Sequence, residues 1–563
     1  MSRLKTAAAT RARCRLGQGL CQVRRQRGWA RRDLAGQLAV SVSTIQRIER
    51  GDPGVALKTL MHAAVLLGLL REFARLLERH FVSYSSEVAP WGTKASGDEA
   101  RAKINLDLAP ETRILLPKSS CGPRLAKHFS VLLGVQAIPM GEVRLRSVAK
   151  ARLIEFLPGD AWSTHGCIVS TSPRGREIKA SQRIWLTKCE WRNKYAALVD
   201  ATPSGFGGRV VRRAAEVGLL DVFRGSGEVP SCFDDLCAVL DVARLGALRV
   251  VPHREVPTDR LMDALMLPCE GALSQIEAAT RAFEIGEEDQ RQLLLLLYCA
   301  TALGGARLKS TWIDGNGQLS MAKFDSGLEG LSLNRAEVLA MHLAAAAGID
   351  AVRVRLLNPV LRPILVGERF DRTEVGERRP FLSARSLLVA QGRDDVGPLD
   401  LLQAMRVHCR DFSGDASQLW QRLVFMRLIW QPGDVLRKIG FLYAGHGRWR
   451  LAPAYGLRLY PAFEPKDEAP ASQGLRLTLK DLMERAGEFG LGPDQARWYL
   501  SRQLNSLGRW RTVASQFFVH INARDIERLE PAIHGSLIDG ARLLRMCQSS
   551  TSPYQRHVDL SVL

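Results

Sequence analysis

The sequence predicts an α+β multidomain chain with three parts: an all-α N-terminal segment, a small β-rich subdomain, and a mixed body ending in a helical lobe. Three observations carry this. The 563 residues exceed what one core organises and imply about two to four domains. Apolar residues recur every three to four positions from Leu16 to Leu69 and again beyond Leu477. Between Leu145 and Ala201, short β-rich runs such as Leu153–Phe156 and Arg183–Leu186 alternate with Gly, Pro and Ser.

Composition narrows the function classes. Hydrophobic residues make up 46% and charged residues 24%, the balance of an ordinary globular protein. No stretch reaches the roughly 18 apolar residues of a membrane span. The basic N-terminus runs into a helical pattern rather than the apolar core of a signal peptide, so a cytoplasmic protein without membrane partners is expected. Eleven cysteines are scattered without a CxxC pair. That argues for free thiols in a reducing compartment and against structural zinc, and no metal ligands are expected. The net charge is +21, and residues 1–80 hold sixteen Lys or Arg against five Asp or Glu. So local an excess points to nucleic acid rather than a small acidic substrate.

The N-terminal elements follow in order. Leu16, Leu20 and Val23 mark a first helix, continued by Arg24, Arg25 and Arg27 and stopped at Gly28. A second begins around 29–33 and carries Leu34, Ala35 and Leu38. Residues 39–43 turn into a third, Thr44–Arg50, which Gly51-Asp52-Pro53 ends; Leu57, Leu60, Val65, Leu66 and Leu69 supply further helix. Two helices joined by a short turn form a helix-turn-helix. Ile45 and Ile48 are its apolar side, leaving Ser43, Thr44, Gln46 and Arg47 facing outward for base edges and phosphates. Arg31 is placed to hold a phosphate beside a helix N-terminus, and Glu49 to pair with an arginine of the first helix such as Arg24. The stretch "RGWARRDLAGQLAVSVSTIQRIERGDPGVALKTLMHAAVLLGL" resembles the Xre/Cro-type family, especially the antitoxin subunit HipB, with Arg31 where Gln is common. The resemblance implies double-stranded operator DNA as partner. One such unit reads one half-site, so a homodimer on a palindrome is expected.

Residues 84–118 lose periodicity and gather Ser, Gly, Pro and mixed charge, the composition of a linker. Beyond it, eight phrases occur in one order: "ATPSGFGGRVVRRAAE" (201–216), "ARLGALRV" (243–250), "LGGARLKS" (303–310), "SMAKFDS" (320–326), "GERFDR" (367–372), "FLSARSLL" (381–388), "GFLY" (440–443) and "WRLAPAYGL" (449–457). Together they resemble the HipA family of serine/threonine kinases, the toxin partner of HipB. The resemblance implies a two-lobed protein-kinase-like body. The expected layout is a helix-turn-helix domain at 1–83, a linker at 84–118, a HipA N-terminal-like region at 119–285, a kinase-like core at 286–548 and a tail at 549–563. In the last lobe, Thr478 and Asp481 read as a capping box, and Gly490 to Pro493 separate two amphipathic helices whose aromatic residues are expected in the core.

Phosphoryl transfer needs a phosphate cradle, a cation on the phosphates, oxygen ligands for Mg²⁺ and a carboxylate beside the attacking hydroxyl. The first two are legible. Gly304-Gly305-Ala306-Arg307 offers backbone N–H groups to a phosphate. Lys323 lies on an alternating strand, and Glu337, on the next helix, is placed to orient it. The resemblance adds Glu368 and Phe370 at an adenine site, so the expected nucleotide-binding residues are Gly305, Ala306, Lys323, Glu337, Glu368 and Phe370. The last two requirements fail. The family's catalytic loop reads roughly Asn-Thr-Asp-(Asp/Gly)-His-x-(Lys/Arg)-Asn, and here residues 431–438 read QPGDVLRK. Gly433 stands at the base position, Lys438 at the metal-binding Asn, and Gly456 at the family's second metal-binding Asp. Residues 435–463 contain no Asp or Glu, and a lysine and a glycine do not make a Mg²⁺ site. Lys438 could instead neutralise a phosphate, so ATP without Mg²⁺ is the cofactor to test. The family's regulatory serine is Ala302 here, with Thr301 beside it as a conceivable phospho-acceptor.

The expectation is therefore a DNA-binding regulator of the HipBA toxin–antitoxin kind whose kinase-like body, lacking catalytic residues, serves dimerisation, contact with a HipA- or HipB-like partner, or nucleotide sensing. Two alternatives remain open: an active serine/threonine kinase toxin restrained by its own helix-turn-helix, with Asp434 as base, and a decoy that sequesters a related toxin or antitoxin.

Overall fold

The computed structural model describes residues 20, 21, 24, 25, 29–38, 40–50, 52, 54, 55, 59 and 63 near the N-terminus. Beyond these it describes 128–148, 151–169, 184–186, 195–220, 236, 238–253, 267–326, 331–358, 362–374, 376–389, 396–431, 435–460, 477–516, 519 and 521–548. The expected linker at 84–118, the tail at 549–563, and Gly433 and Asp434 lie outside them. The chain divides into two compact units, residues 1–111 with the short stretches 259–265 and 315–317, and the remainder. The fold is α+β, with small antiparallel sheets and a helical lobe.

In the first unit, α1 (Arg31–Gln37) and α2 (Val42–Arg50) form the helix-turn-helix pair. Leu20, Leu34, Ala35, Ile45, Ile48 and Ala63 make its core. Ser41 starts α2: its hydroxyl accepts from the Thr44 amide at 3.2 Å, an N-cap interaction.

The second unit opens with a five-stranded antiparallel sheet of order β4-β3-β2-β1-β5. Its strands are β1 (His128–Leu133), β2 (Ile138–Val148), β3 (Ala151–Pro158), β4 (Ile184–Leu186) and β5 (Leu248–Pro252). Phe129, Val131 and Val143 alternate into the core. Helix α3 (Phe206–Glu216) follows β4 in the chain. A second sheet, of order β6-β7-β9-β8, contains β6 (Lys309–Ile313), β7 (Leu319–Lys323), β8 (Val354–Leu357) and β9 (Ile364–Glu368). Helix α4 (Leu333–Ala346) connects β7 to β8. Its N-cap is Ser332.

Strands β10 (Phe381–Ser383), β11 (Gly440–Gly445) and β12 (Arg448–Leu451) form a small third sheet beside the helical lobe. That lobe is built on α5 (Phe412–Leu428), α6 (Pro493–Gly508) and α7 (Ala523–Gln548). One apolar core runs from the first sheet through α4 to Trp420, Leu423 and Leu500. The capping box read at Thr478 forms: the Thr478 hydroxyl accepts from the Asp481 amide at 3.1 Å, and the Asp481 carboxylate accepts from the Thr478 amide at 2.8 Å. Trp498 departs from the expected core placement. It is 57% exposed, with the Arg502 guanidinium over its ring, because its position on α6 lies away from the stripe of Ala496, Leu500 and Leu504. Among the described residues, no helix is long and apolar enough to cross a membrane.

Candidate functional site

In the helix-turn-helix, α2 buries Ile45 and Ile48 completely. Ser43 and Arg47 are exposed, and Thr44 and Gln46 are half-buried. The expected outward face is therefore present. Glu49 is buried and holds two arginines, Arg24 at 2.6 Å and Arg31 at 2.8 Å. Burial alone would raise the Glu49 carboxyl, but its bonds to Arg24 and Arg31 outweigh this and hold it below the usual range. The pairing with Arg24 is as read from the sequence. The commitment of Arg31 to the same carboxylate is new: its Nε atom ties α1 to α2, so any phosphate would meet an arginine already anchored. Arg47 folds onto Asp52 at 2.7 Å. Arg47 is exposed and Asp52 half-buried, and an ion pair so open to water holds Arg47 only weakly.

In the second unit, cations converge around one carboxylate. The β6–β7 register sets Lys309 directly opposite Lys323, an unfavourable arrangement for like charges. Both residues are buried. Lys323 Nζ donates to the Glu337 carboxylate, the pairing expected from sequence. The other Glu337 oxygen accepts from Arg307 at 2.6 Å. Arg307 also donates to Asn334 Oδ1 at 2.5 Å, and Asn334 donates to the Lys323 carbonyl at 2.9 Å. The N-terminal turn of α4 is thereby fastened to the end of β7.

Burial, reinforced by Lys323 and Arg307, pushes the Lys309 ammonium down to about 7. Burial, with Arg458 beside it, does the same to Lys438, also to about 7. A Cβ built on Gly456 would stand 4.0 Å from Lys323 Nζ, so Gly456 sits at this cluster. Glu337 and Asp325, the carboxylates placed among these cations, already have partners: Lys323 and Arg307 for the first, Ser332 and Asn334 for the second. Mg²⁺ requires free oxygen ligands. Among the described residues, the carboxylates at this cluster are therefore already engaged, and the groups gathered there are mainly ammonium and guanidinium.

The loop at 304–306 is held from two sides. Lys309 Nζ donates to the Gly304 carbonyl at 2.5 Å, and the Phe206 amide donates to the Gly305 carbonyl at 3.0 Å. Gly205, at φ +59°, makes the second approach possible, since a Cβ there would lie 2.3 Å from the Gly305 oxygen. Two of the eight sequence phrases thus touch each other. Gly305 and Ala306 are exposed, as a phosphate cradle needs.

Comparison with known proteins agrees with this arrangement. Residues 301–510 match the family model described as HipA-like C-terminal domain, and residues 19–79 match a helix-turn-helix domain. Among solved structures, the chain resembles one from the Shewanella oneidensis MR-1 toxin–antitoxin system HipA, HipB and operator DNA complex. The identity is 15% and the TM-score 0.51, over 75% of this chain and all of that one. The chain is a HipA-like fold fused to a helix-turn-helix domain. A second likeness, to the Helicobacter pylori proinflammatory kinase CtkA, has 16% identity and a TM-score of 0.34 over 44% of this chain and 95% of that one, and carries no argument. No curated protein matches the chain.

The remaining expected residues of the HipA-like body divide. Glu368 ends β9 and is exposed. Phe370 stacks on Tyr455 with ring centroids 5.3 Å apart and joins a small apolar cluster with Phe381 and Leu442. Thr301 is fully buried and its hydroxyl donates to the Leu297 carbonyl at 3.0 Å, so it is not accessible as a phospho-acceptor. The "GERFDR" segment interlocks with "ARLGALRV": Asp371 binds Arg369, Arg372 and the Gly246 amide, each at 2.7 Å.

Sequence reading missed the side-chain roles of Arg307 and Lys309. Lys309 carried one available signal, a lysine at the start of an otherwise apolar strand. Arg307 carried none, because its partners Asp325, Asn334 and Glu337 lie on later elements.

Proposed function

We propose that this protein is a DNA-binding transcriptional regulator of HipBA type whose HipA-like body is catalytically degenerate and binds a nucleotide or similar polyphosphate without Mg²⁺. The observation that carries the reading is the charge at the body's cation cluster. Lys438 and Gly456 occupy the positions where the family places metal ligands, and Lys309, Lys323 and Arg307 gather around a single paired glutamate. Such a site neutralises phosphate with ammonium and guanidinium groups, the work Mg²⁺ does in an active kinase.

The DNA side of the reading rests on the helix-turn-helix match, on the basic N-terminus and on Ser43, Thr44, Gln46 and Arg47 along α2, with Arg31 beside them. The likeness to a HipA–HipB–operator DNA complex supports it at the level of fold. We assign the helix-turn-helix to the Xre/HipB type, the DNA-binding domain to residues 1–83, and the kinase-like core to 286–548. A homodimer on a palindromic operator supplies the two half-sites one chain cannot read. The body serves dimerisation, contact with a HipA- or HipB-like partner, or nucleotide sensing.

Two measurements test this. The Gln46→Ala/Arg47→Ala variant should lose gel-shift binding to the upstream operator while keeping its thermal unfolding profile; unchanged affinity sinks the DNA reading. ATP should raise the melting temperature equally with and without Mg²⁺. Robust γ-phosphate transfer to protein, lost on Asp434→Ala, would instead establish the active-kinase alternative, which the formed Lys323–Glu337 pair favours.

A further inference from the structure

We propose that the face of the first sheet opposite Phe129 and Val131 carries a binding site for a zinc-class divalent cation, formed by His128, Glu142 and His253. No part of the proposed DNA or nucleotide chemistry uses these residues. The cysteine spacing argued against structural zinc, and this cluster needs no cysteine.

The pleat places the three ligands together. On β1, Phe129 and Val131 point into the core, so His128 and Ser130 occupy the opposite face. Across the ladder Ser130 faces Glu142 and His128 faces Arg144, while Phe129 faces both Val143 and Pro252. His253 extends β5 by one residue, its amide donating to the His128 carbonyl at 2.9 Å, which returns its side chain to the same face as His128. Three adjacent strands therefore supply His, Glu and His, the last from a position more than a hundred residues beyond the other two.

The donor atoms lie within reach of a first-row site, and because the His128 and His253 rings stack with centroids 3.7 Å apart, one imidazole must rotate for both nitrogen lone pairs to meet a common ion. His128 Nε2 lies 2.8 Å from Glu142 Oε2, and His253 Nδ1 lies 3.7 Å from Glu142 Oε1. All three ligand atoms fall within 4.8 Å of one another. A tetrahedral ion with ligands at about 2.0–2.2 Å needs donors roughly 3.3–3.6 Å apart, within that spread. Two imidazoles and a carboxylate are the ligand types such ions select. The side chains are half-buried, leaving a fourth position to water or to the Ser130 hydroxyl, 3.4 Å from His253 Nδ1. Arg144 supplies the positive charge in the metal-free protein: its Nε donates to His128 Nε2 at 3.1 Å and its Nη2 to Glu142 at 3.2 Å. A metal ion would take the His128 nitrogen from Arg144, so Arg144 is its competitor.

Calorimetric titration of the full chain with Zn²⁺ alone should show one saturable equivalent, accompanied by a rise in melting temperature. Co²⁺ in its place should give a spectrum without thiolate-to-cobalt charge transfer, which separates this site from the free cysteines. Glu142→Gln and His253→Ala should weaken Zn²⁺ binding by at least about 10- to 100-fold. Arg144→Gln, which removes the competitor and spares every ligand, should tighten it. Absence of saturable binding to the wild-type chain, or wild-type affinity in both Glu142→Gln and His253→Ala, would overturn the proposal.

Discussion

Replacing Lys309 by Met tests whether the cation cluster is a strained anion site or an ordinary part of the core. Lys309 is buried opposite Lys323, and its folded-state value of about 7 stands against an ordinary 10.5. That difference corresponds to roughly 5 kcal/mol between the charged and neutral forms. The direction follows from the lowered value. Below about pH 7 the lysine is protonated in both states, and the folded protein bears the full cost of its buried charge. As the pH climbs to 10.5, only the unfolded lysine keeps its proton, and the cost shrinks away. Methionine fills a similar volume without charge, but it forfeits the hydrogen bond to the Gly304 carbonyl, worth about 1.5–3 kcal/mol. At pH 6.5 the variant should therefore be more stable by about 2–3.5 kcal/mol. Near pH 10.5 it should be less stable, by about 1–2 kcal/mol. Urea unfolding followed by tryptophan emission reads the difference, Trp312 being buried on the same strand. Phosphate or ATP without Mg²⁺ should narrow the gap at pH 6.5, because a bound anion satisfies the charge that methionine lacks. Equal destabilisation at both pH values would refute the reasoning.

Three further outcomes are expected. Glu49→Ala leaves Arg24 buried without its carboxylate and should cost the helix-turn-helix about 3–5 kcal/mol, seen as faster proteolysis of the N-terminal unit; Arg31→Ala, on the exposed edge of the same cluster, should cost less. Gly205→Ala drives a Cβ to 2.3 Å from the Gly305 oxygen at a left-handed φ, so a loss of about 1–3 kcal/mol and weaker anion binding should appear together in nucleotide-dependent melting. Thr478→Ala removes the cap of the Leu479–Glu484 helix and should lower stability by about 1 kcal/mol, with Thr478→Ser restoring most of it.

The sequence by itself determined what depends on near neighbours along the chain. The 3.6-residue period buried Ile45 and Ile48 and left Ser43 and Arg47 outside, because a helix repeats its face within one turn. The cap at Thr478 forms between residues three apart, and its chemistry is local for the same reason. The Lys323–Glu337 pair was legible because a strand and the helix that follows it return the chain to one place. Tertiary structure decided everything that depends on register between separate elements. Lys309 faces Lys323 only once β6 and β7 are paired, and a one-residue slip would turn it to the other face. Arg31 joins Glu49 only when α1 packs on α2, and Trp498 leaves the core because α6 turns it to solvent. His128, Glu142 and His253 meet only after β1, β2 and β5 assemble. Side chains distant in sequence carry no periodic signal of their proximity, so a cluster shared by three strands becomes visible only in the folded sheet.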